Sequence, residues 1–161
     1  MPEKKICILF VCLGNICRSP LAEGIFKDLL KKEGMEDGFF VDSCGTGNWH
    51  IGRPPHDGSI HVASENGINI RDQKARQLTK EDFDEFDIIF AMDRENLQCL
   101  KQIKTGGKAK ILCLREYDSE EGDFDVPDPY FKGDEEGFKD VYEIIFRCLK
   151  NYIESIKKAC K

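Results

Sequence analysis

The chain has 161 residues, the length of one ordinary domain, and residues 1–161 are expected to fold as a single domain. Hydrophobic residues make up 40% and charged residues 34%, proportions that are ordinary for a globular protein and argue against extensive disorder. The net charge of -6 argues against a broad nucleic-acid-binding surface, because such surfaces need clustered positive charge.

The longest apolar stretch and the number of cysteines indicate in which cellular compartment the protein works. Residues 6–13 are too few to cross a bilayer, and they run into a loop rather than into a signal-peptide cleavage site. Eight cysteines without the short, loop-rich character of a secreted scaffold are typical of reduced thiols. We therefore expect a cytoplasmic protein with neither membrane nor nucleic-acid partners.

Apolar strands and amphipathic helices alternate in the sequence. Residues 4–11 are almost continuously apolar, which predicts a central parallel strand covered on both faces. After a loop at residues 12–18, Pro20 suits the first turn of a helix, and apolar side chains recur at helical spacing until Gly34. The other predicted strands are residues 39–44, 87–92 and 109–114, and the other predicted helices are residues 55–66, 94–103 and 134–156.

This alternation predicts the α/β class, with helices on both faces of a small parallel sheet. Ligands of such folds bind beyond the carboxyl ends of the strands, which is where residues 12–18 follow the first strand. A long acidic loop at residues 117–134 contains Pro127 and Pro129, and structureless loops of this length in compact domains are often functional.

The loop after the first strand has the sequence Cys-x5-Arg-Ser. Five intervening residues can curl so that their backbone N–H groups point inward and bind an anion, and Gly14 and Asn15 tolerate the left-handed conformations that a curl requires. The helix that begins near Ser19 adds its positive dipole end. We expect the whole loop to bind phosphate, through Cys12, Leu13, Gly14, Asn15, Ile16, Cys17 and Arg18.

Two side chains of this loop suggest phosphoryl chemistry. The guanidinium of Arg18 can donate two parallel hydrogen bonds to phosphoryl oxygens. The positive cradle favours the thiolate of Cys12, which could then attack phosphorus at neutral pH. A buried, inert cysteine is the ordinary alternative. A metal site is another, with Cys12 and Cys17 joined by His50, His56 and His61, but these spacings match no common zinc pattern.

A phosphatase also needs an acid for the leaving group, and Asp128 is the candidate. It lies between Pro127 and Pro129, which stiffen its loop, and Tyr130 beside it can line a pocket. A solvated turn aspartate is the alternative. Together, thiolate, arginine and acid complete a two-step phosphatase that passes through phosphocysteine and requires neither metal nor cofactor.

The sequence resembles the low-molecular-weight protein tyrosine phosphatases over essentially its whole length. The motifs that carry the resemblance are VCLGNICRSPLAEG, VDSCGTGNWHIGRPP, KARQLTKEDF, FAMDRENL and DPY. The resemblance implies a three-layer α/β/α domain with a four-stranded parallel sheet, the phosphotyrosine protein phosphatase I-like fold. It implies phosphotyrosine proteins as substrates, and phosphate, vanadate or similar oxyanions as active-site ligands.

The resemblance also assigns supporting residues. Asn15, Ser19 and Ser43 are expected to form a hydrogen-bond network that shapes the loop, with Ser19 stabilising the departing thiolate. Trp49 and Tyr130 are expected to be aromatic walls of the substrate cleft. For Trp49 alone, a packing role is equally compatible with the sequence.

The sequence departs from the family pattern at two positions and leaves other activities open. Gln73 replaces a histidine that the family often has behind the loop, and Phe131 replaces a second tyrosine found in many eukaryotic members. Arsenate reductase is an alternative on the same fold, for which Cys99 and Cys113 would have to relay a disulfide. A non-catalytic phosphotyrosine-binding module is another alternative.

A redox role is predicted for Cys17, because it lies five residues after the nucleophile in the same small loop. A disulfide with Cys12 would protect an oxidised nucleophile from irreversible oxidation. The alternative is that Cys17 only packs within the loop.

Overall fold

The computed structural model describes residues 4–120, 123–130 and 134–159. They include a four-stranded sheet in which neighbouring strands are parallel. The strands are β1 at Ile6–Cys12, β2 at Phe39–Gly45, β3 at Ile88–Ala91 and β4 at Lys110–Cys113, in the order β2-β1-β3-β4. The predicted α/β class with a four-stranded parallel sheet is confirmed.

The helices in the described residues are α1 at Arg18–Lys32, α2 at Asp57–Glu65, α3 at Asp82–Glu85, α4 at Arg94–Ile103 and α5 at Glu135–Ala159. The sequence pattern predicts four of them. It misses α3 and the 3₁₀ turns at Glu36–Gly38 and Leu114–Tyr117, because segments this short do not show a helical period. Among the described residues, none of the helices has the length and apolar character needed to cross a membrane.

Side chains of β1 alternate between two cores on opposite faces of the sheet. Ile8 and Phe10 belong to the core formed with α1, α2 and α5, whereas Leu9 and Val11 belong to the core formed with α3 and α4. All four side chains are fully buried, as expected for a central strand of a parallel sheet. The result is the three-layer α/β/α arrangement that the sequence predicts.

Local signals set the ends of the helices. Gly34 and Gly67 follow α1 and α2 with φ angles of 68° and 76°, the left-handed conformation that glycine adopts without strain. The predicted helix at residues 55–66 is shorter, because His56 is the residue that caps it. The His56 Nδ1 atom accepts a hydrogen bond of 3.0 Å from the backbone N–H of Gly58, so α2 begins at Asp57.

The topology brings three connections to the carboxyl edge of the sheet. Residues 12–18 join β1 to α1, Asp93 joins β3 to α4, and β4 leads through a 3₁₀ turn into the loop that carries Asp128. Residues far apart in the sequence therefore meet at one end of the molecule, which is where ligands of this fold class bind.

Candidate active site

The loop at residues 12–18 is held from outside through its carbonyl oxygens. Four of these oxygens accept hydrogen bonds from neighbouring segments: Cys12 from the Thr46 N–H at 2.9 Å, Leu13 from the Gly47 N–H at 2.9 Å, Ile16 from the His56 N–H at 2.7 Å, and Cys17 from the Ser59 hydroxyl at 3.0 Å. The C=O and N–H of a trans peptide point in opposite directions. An outward carbonyl therefore turns the N–H of the next residue inward, toward the centre of the loop.

Asn15 fixes the curl of the loop. Its φ of 57° is the only positive value at a non-glycine residue in the described chain. The Asn15 Nδ2 atom donates to the hydroxyls of Ser19 at 2.8 Å and Ser43 at 3.0 Å, and Oδ1 accepts from the Arg76 N–H at 3.0 Å. A left-handed residue costs about 1 kcal/mol, and buried hydrogen bonds that stabilise by about 1 kcal/mol each outweigh that cost.

Gly14 does not have the left-handed backbone that the sequence suggests for both residues, so that expectation holds for Asn15 only. The lack of a side chain at Gly14 has a different consequence. A Cβ atom at Gly14 would lie 3.0 Å from Cδ2 of His50, which is tighter than ordinary van der Waals contact. The absence of a side chain at Gly14 thus lets the rim of the site approach the loop closely.

The Cys12 sulfur lies at the base of the loop. Its Sγ atom is 3.0 Å from the Ser19 hydroxyl and 3.3 Å from the backbone N–H of Asn15, which donates to it. Both neighbours can stabilise negative charge on sulfur. Asn15 joins Ser19 to Ser43 behind the loop by the two hydrogen bonds of its amide group.

Arg18 is 3% exposed, and acidic groups contact it on two sides. Its Nη1 atom donates to Asp93 Oδ2 at 2.6 Å and to the Val126 carbonyl at 3.0 Å, while Nη2 lies 3.6 Å from Asp128 Oδ2. Burial by itself would lower the pKa of Arg18, but the charges on Cys12, Asp93 and Asp128 outweigh it and raise the pKa. The guanidinium is therefore a permanent cation with a fixed orientation.

Asp128 faces the loop from the opposite wall. The backbone N–H of Tyr130 donates to its Oδ1 atom at 3.0 Å, and the side chain is 26% exposed. The carboxylate thus has contact with both the guanidinium of Arg18 and solvent, which suits a group that must exchange protons.

These side chains line one cavity of about 390 Å³. Trp49 and Tyr130 are exposed at its mouth, as the sequence predicts for cleft walls, and Leu13 is exposed beside them. The Trp49 ring lies over Gly47, where any side chain would collide with it. The remaining lining residues are Cys12, Gly14, Ile16, Cys17, Arg18, His50 and Asp128.

Glu23 extends the network behind the loop. The Ser43 hydroxyl donates to Glu23 Oε1 at 2.7 Å, and the other oxygen of Glu23 pairs with Lys27 at 2.6 Å. Gln73, which replaces the family histidine, donates instead to the Pro20 carbonyl at 3.0 Å. Its buried Oε1 atom finds no donor within the described residues. The second departure, Phe131, lies outside the described residues.

Three supporting residues escape the sequence analysis: Glu23, Arg76 and Asp93. Asp93 caps α4, where its Oδ1 atom accepts from the Asn96 N–H at 2.7 Å. Its other oxygen binds Arg18, 75 positions earlier in the chain. Only the motifs that contain these residues, LAEG, KAR and AMD, could have drawn attention to them.

Two of the histidines considered for a metal site have other partners. His56 accepts from Gly58, and His61 lies 2.8 Å from Glu65. The described chain contains no cluster of three or more His, Cys, Asp or Glu side chains suited to a metal ion. Its seven described cysteines are free thiols, and that of Cys113 donates to the Phe124 carbonyl at 3.4 Å.

The model of the low molecular weight phosphotyrosine protein phosphatase family matches residues 7–161. The chain belongs to this family. Protein-tyrosine-phosphatase YfkJ of Bacillus subtilis (strain 168) is 44% identical over 155 residues, which cover 95% of this chain and 97% of YfkJ. The chain is thus a protein-tyrosine-phosphatase, a hydrolase of low molecular weight.

Solved structures of other phosphatases have the same fold. A protein tyrosine phosphatase from Entamoeba histolytica, with Hepes in its active site, superposes with a TM-score of 0.90 at 33% identity, covering 98% of this chain and 100% of the other. DARP, a Drosophila arginine phosphatase, superposes with a TM-score of 0.88 at 33% identity. The superposition covers 93% of this chain and 97% of DARP.

The double role of Asp93 leads to a prediction with a built-in control. Asp93→Asn keeps an oxygen for the helix cap but removes the charge that orients and compensates Arg18, so we expect kcat/KM for para-nitrophenyl phosphate to fall about tenfold and Tm to decrease. Asp93→Ala also removes the cap, and its free energy of unfolding should fall by about 1 kcal/mol more. Parental activity in Asp93→Asn would mean that the Val126 carbonyl is sufficient to orient Arg18.

Proposed function

We propose that this phosphatase hydrolyses phosphotyrosine in proteins, and small aryl phosphates, through a phosphocysteine intermediate on Cys12. The observation that carries the proposal is that the Cys12 sulfur, the Arg18 guanidinium and the Asp128 carboxylate face one cavity with aromatic side chains at its mouth. We further propose that residues 1–161 act as one domain and work in the cytoplasm, since a thiolate nucleophile requires a reducing compartment.

In the first step the Cys12 thiolate attacks phosphorus and the bond to the tyrosyl oxygen breaks. Asp128 transfers its proton to that oxygen, so tyrosine leaves as a neutral phenol. The inward N–H groups of the loop and the guanidinium of Arg18 hold the remaining phosphoryl oxygens as negative charge shifts onto them. Residues 12–18 together form this phosphate-binding cradle.

In the second step the same aspartate, now ionised, takes a proton from water. The water oxygen attacks phosphorus, the phosphorus–sulfur bond breaks, and inorganic phosphate and the thiolate are released. The Ser19 hydroxyl at 3.0 Å and the Asn15 N–H at 3.3 Å can stabilise the departing sulfur anion. Besides substrate and water, this scheme uses only side chains and backbone groups of the protein.

The mouth of the cavity supports an aromatic substrate. Trp49, Tyr130 and Leu13 offer exposed apolar surface at the rim, which suits the flat ring of phosphotyrosine. Inorganic phosphate and vanadate should bind the same cradle, and the Entamoeba relative, which holds Hepes, has an anionic sulfonate in its active site. Because one structural relative is an arginine phosphatase, phosphoarginine is a useful comparison substrate.

We also propose that Cys17 protects the nucleophile from over-oxidation. Cys17 lines the same cavity, and its thiol stays protonated because burial, followed by the charges of Cys12 and Asp128, raises its pKa. Oxidation of Cys12 by peroxide to a sulfenic acid removes one of those charges. The Cys17 sulfur can then displace water from the sulfenic acid and form a disulfide.

Cys12→Ser tests the nucleophile. We expect this variant to lose aryl phosphatase activity but to bind vanadate as the parent does, because the backbone cradle and Arg18 remain. Hydrolysis assays without metal, together with calorimetry of vanadate binding, measure the two properties. Arsenate reduction and phosphoarginine hydrolysis by the parent, assayed in parallel, should be negligible. Undiminished hydrolysis by Cys12→Ser would rule out the proposed intermediate.

Asp128→Asn tests the general acid. Hydrolysis of phenyl phosphate, whose leaving group is poor, should fall by about 10²–10⁴-fold. For esters of more acidic phenols, the loss of kcat/KM in Asp128→Asn should be progressively smaller, because their leaving groups depend less on protonation. The measurement is kcat/KM across a series of aryl phosphates. An equal loss across the series would remove Asp128 from this role.

Cys17→Ser tests the protective disulfide. Peroxide should inactivate both parent and variant, but a thiol reductant should restore the parent and leave the variant largely inactive. In the variant the untrapped sulfenic acid is oxidised further by peroxide to the irreversible sulfinic acid. Cys7→Ser, at a half-buried cysteine on β1, serves as the matched control and should recover like the parent. Full recovery of Cys17→Ser, or an oxidised parent without a Cys12–Cys17 link by mass spectrometry, would contradict the proposal.

A further inference from the structure

Three successive carbonyl groups anchor the loop that carries Asp128. The oxygens of Phe124, Asp125 and Val126 each accept a hydrogen bond from a side chain of another segment. The donors are the thiol of Cys113 at 3.4 Å, the guanidinium of Arg115 at 2.5 Å and the guanidinium of Arg18 at 3.0 Å. Because Asp128 follows two residues later, these anchors set where its carboxylate lies.

The three donors differ in strength and in function. A thiol is a weak donor, and Arg18 already belongs to the phosphate cradle. Of these three donors, Arg115 is therefore the strong one that has no part in phosphate binding. A backbone bond from the Val126 N–H to the Met92 carbonyl at 2.8 Å also holds the segment. Arg115 lies in the 3₁₀ turn after β4, with its side chain 13% exposed, and its contact to Asp125 is a charge-assisted bond to a backbone oxygen.

Arg115 is itself fixed by a buried carboxylate. Its Nε atom donates to Asp118 Oδ2 at 3.1 Å, and Arg147 on α5 donates to both oxygens of Asp118 at 2.8 and 3.0 Å. Asp118 is only 2% exposed, and its bonds with Arg147, together with those from the Glu120 N–H and Arg115, lower its pKa to about 2. The carboxylate therefore remains ionised at neutral pH and holds Arg115 between α5 and the loop.

Arg94 makes a different kind of contact with the same loop. It binds the side chain of Asp125 at 3.3 and 3.4 Å, but it is 63% exposed. Exposed ion pairs of this kind contribute little, because water competes for both partners. The same loop segment thus has a shielded anchor at Arg115 and a solvated one at Arg94.

We propose that Arg115 is a positioning residue for the proton-donating step: it holds the Phe124–Val126 backbone so that Asp128 reaches the leaving-group oxygen. The inference rests on the proposed role of Asp128 as general acid. Loosening this anchor should weaken proton donation and leave the cradle at residues 12–18 intact. General acid catalysis contributes about 10²–10⁴-fold, and a carboxylate held less accurately loses part of that factor.

Arg115→Lys is the variant of choice, because it keeps a positive charge beside Asp118 but cannot donate to Asp118 and to the Asp125 carbonyl in the same forked geometry. We expect kcat/KM to fall about tenfold for phenyl phosphate and less than about twofold for an activated dinitrophenyl ester. The inhibition constant of vanadate should stay within about twofold of the parent, because the cradle is unchanged. In an Asp128→Asn background, Arg115→Lys should cause no further loss.

Arg94→Lys is the matched control, since it makes the same change at the solvated anchor, and it should behave like the parent with every substrate. Three outcomes would overturn the inference. Arg115→Lys could lose the same factor in kcat/KM on both esters, its loss could add to that of Asp128→Asn, or it could keep parental activity on both esters. If Asp128→Asn itself lost activity equally on all esters, the acid assignment would fail and the inference with it. If the activity loss of Asp128→Asn depended on the leaving group and that of Arg115→Lys did not, the inference about Arg115 would fail while the acid assignment of Asp128 stood.

Discussion

The outward direction of the carbonyl groups in residues 12–18 is the constraint on which the cleft depends. A peptide loop offers donors to an anion only if its acceptors are satisfied elsewhere, since an unpaired buried carbonyl is costly. The segment after β2 and the start of α2 supply the required donors. Those two segments therefore hold the backbone of residues 12–18 in its curled conformation, although only a few of their side chains line the cavity.

In the proposed mechanism, one guanidinium links phosphate binding with acid catalysis. Arg18 is almost fully buried in a protein of net charge -6, and such a cation requires acidic neighbours. Asp93 supplies the closest carboxylate. The Val126 carbonyl, which belongs to the loop that carries Asp128, accepts a hydrogen bond from the same Arg18 side chain. An oxyanion held by Arg18 would therefore lie beside the loop that carries Asp128.

Local patterns explain how much of this site the sequence predicts. The α/β class follows from apolar runs and helical spacing, and the motif at residues 12–19 brings the proposed nucleophile, phosphate cradle and arginine clamp together within one short segment. Asp128 is visible because two prolines flank it. The contacts that orient these groups join residues far apart in the chain, such as Arg18 with Asp93 and Arg115 with Asp125. Their pairing depends on strand order and on side-chain conformation, which a single sequence does not specify.

The position of Trp49 gives the protein a built-in optical probe. The chain contains one tryptophan, and that residue lies two-thirds exposed at the mouth of the cavity with its ring over Gly47. Indole emission depends on hydration and on nearby quenching groups, and in this protein the indole emission originates at the entrance to the cleft. Occupancy of the cleft can therefore be followed in the native chain by intrinsic fluorescence, without an attached dye and without catalytic turnover.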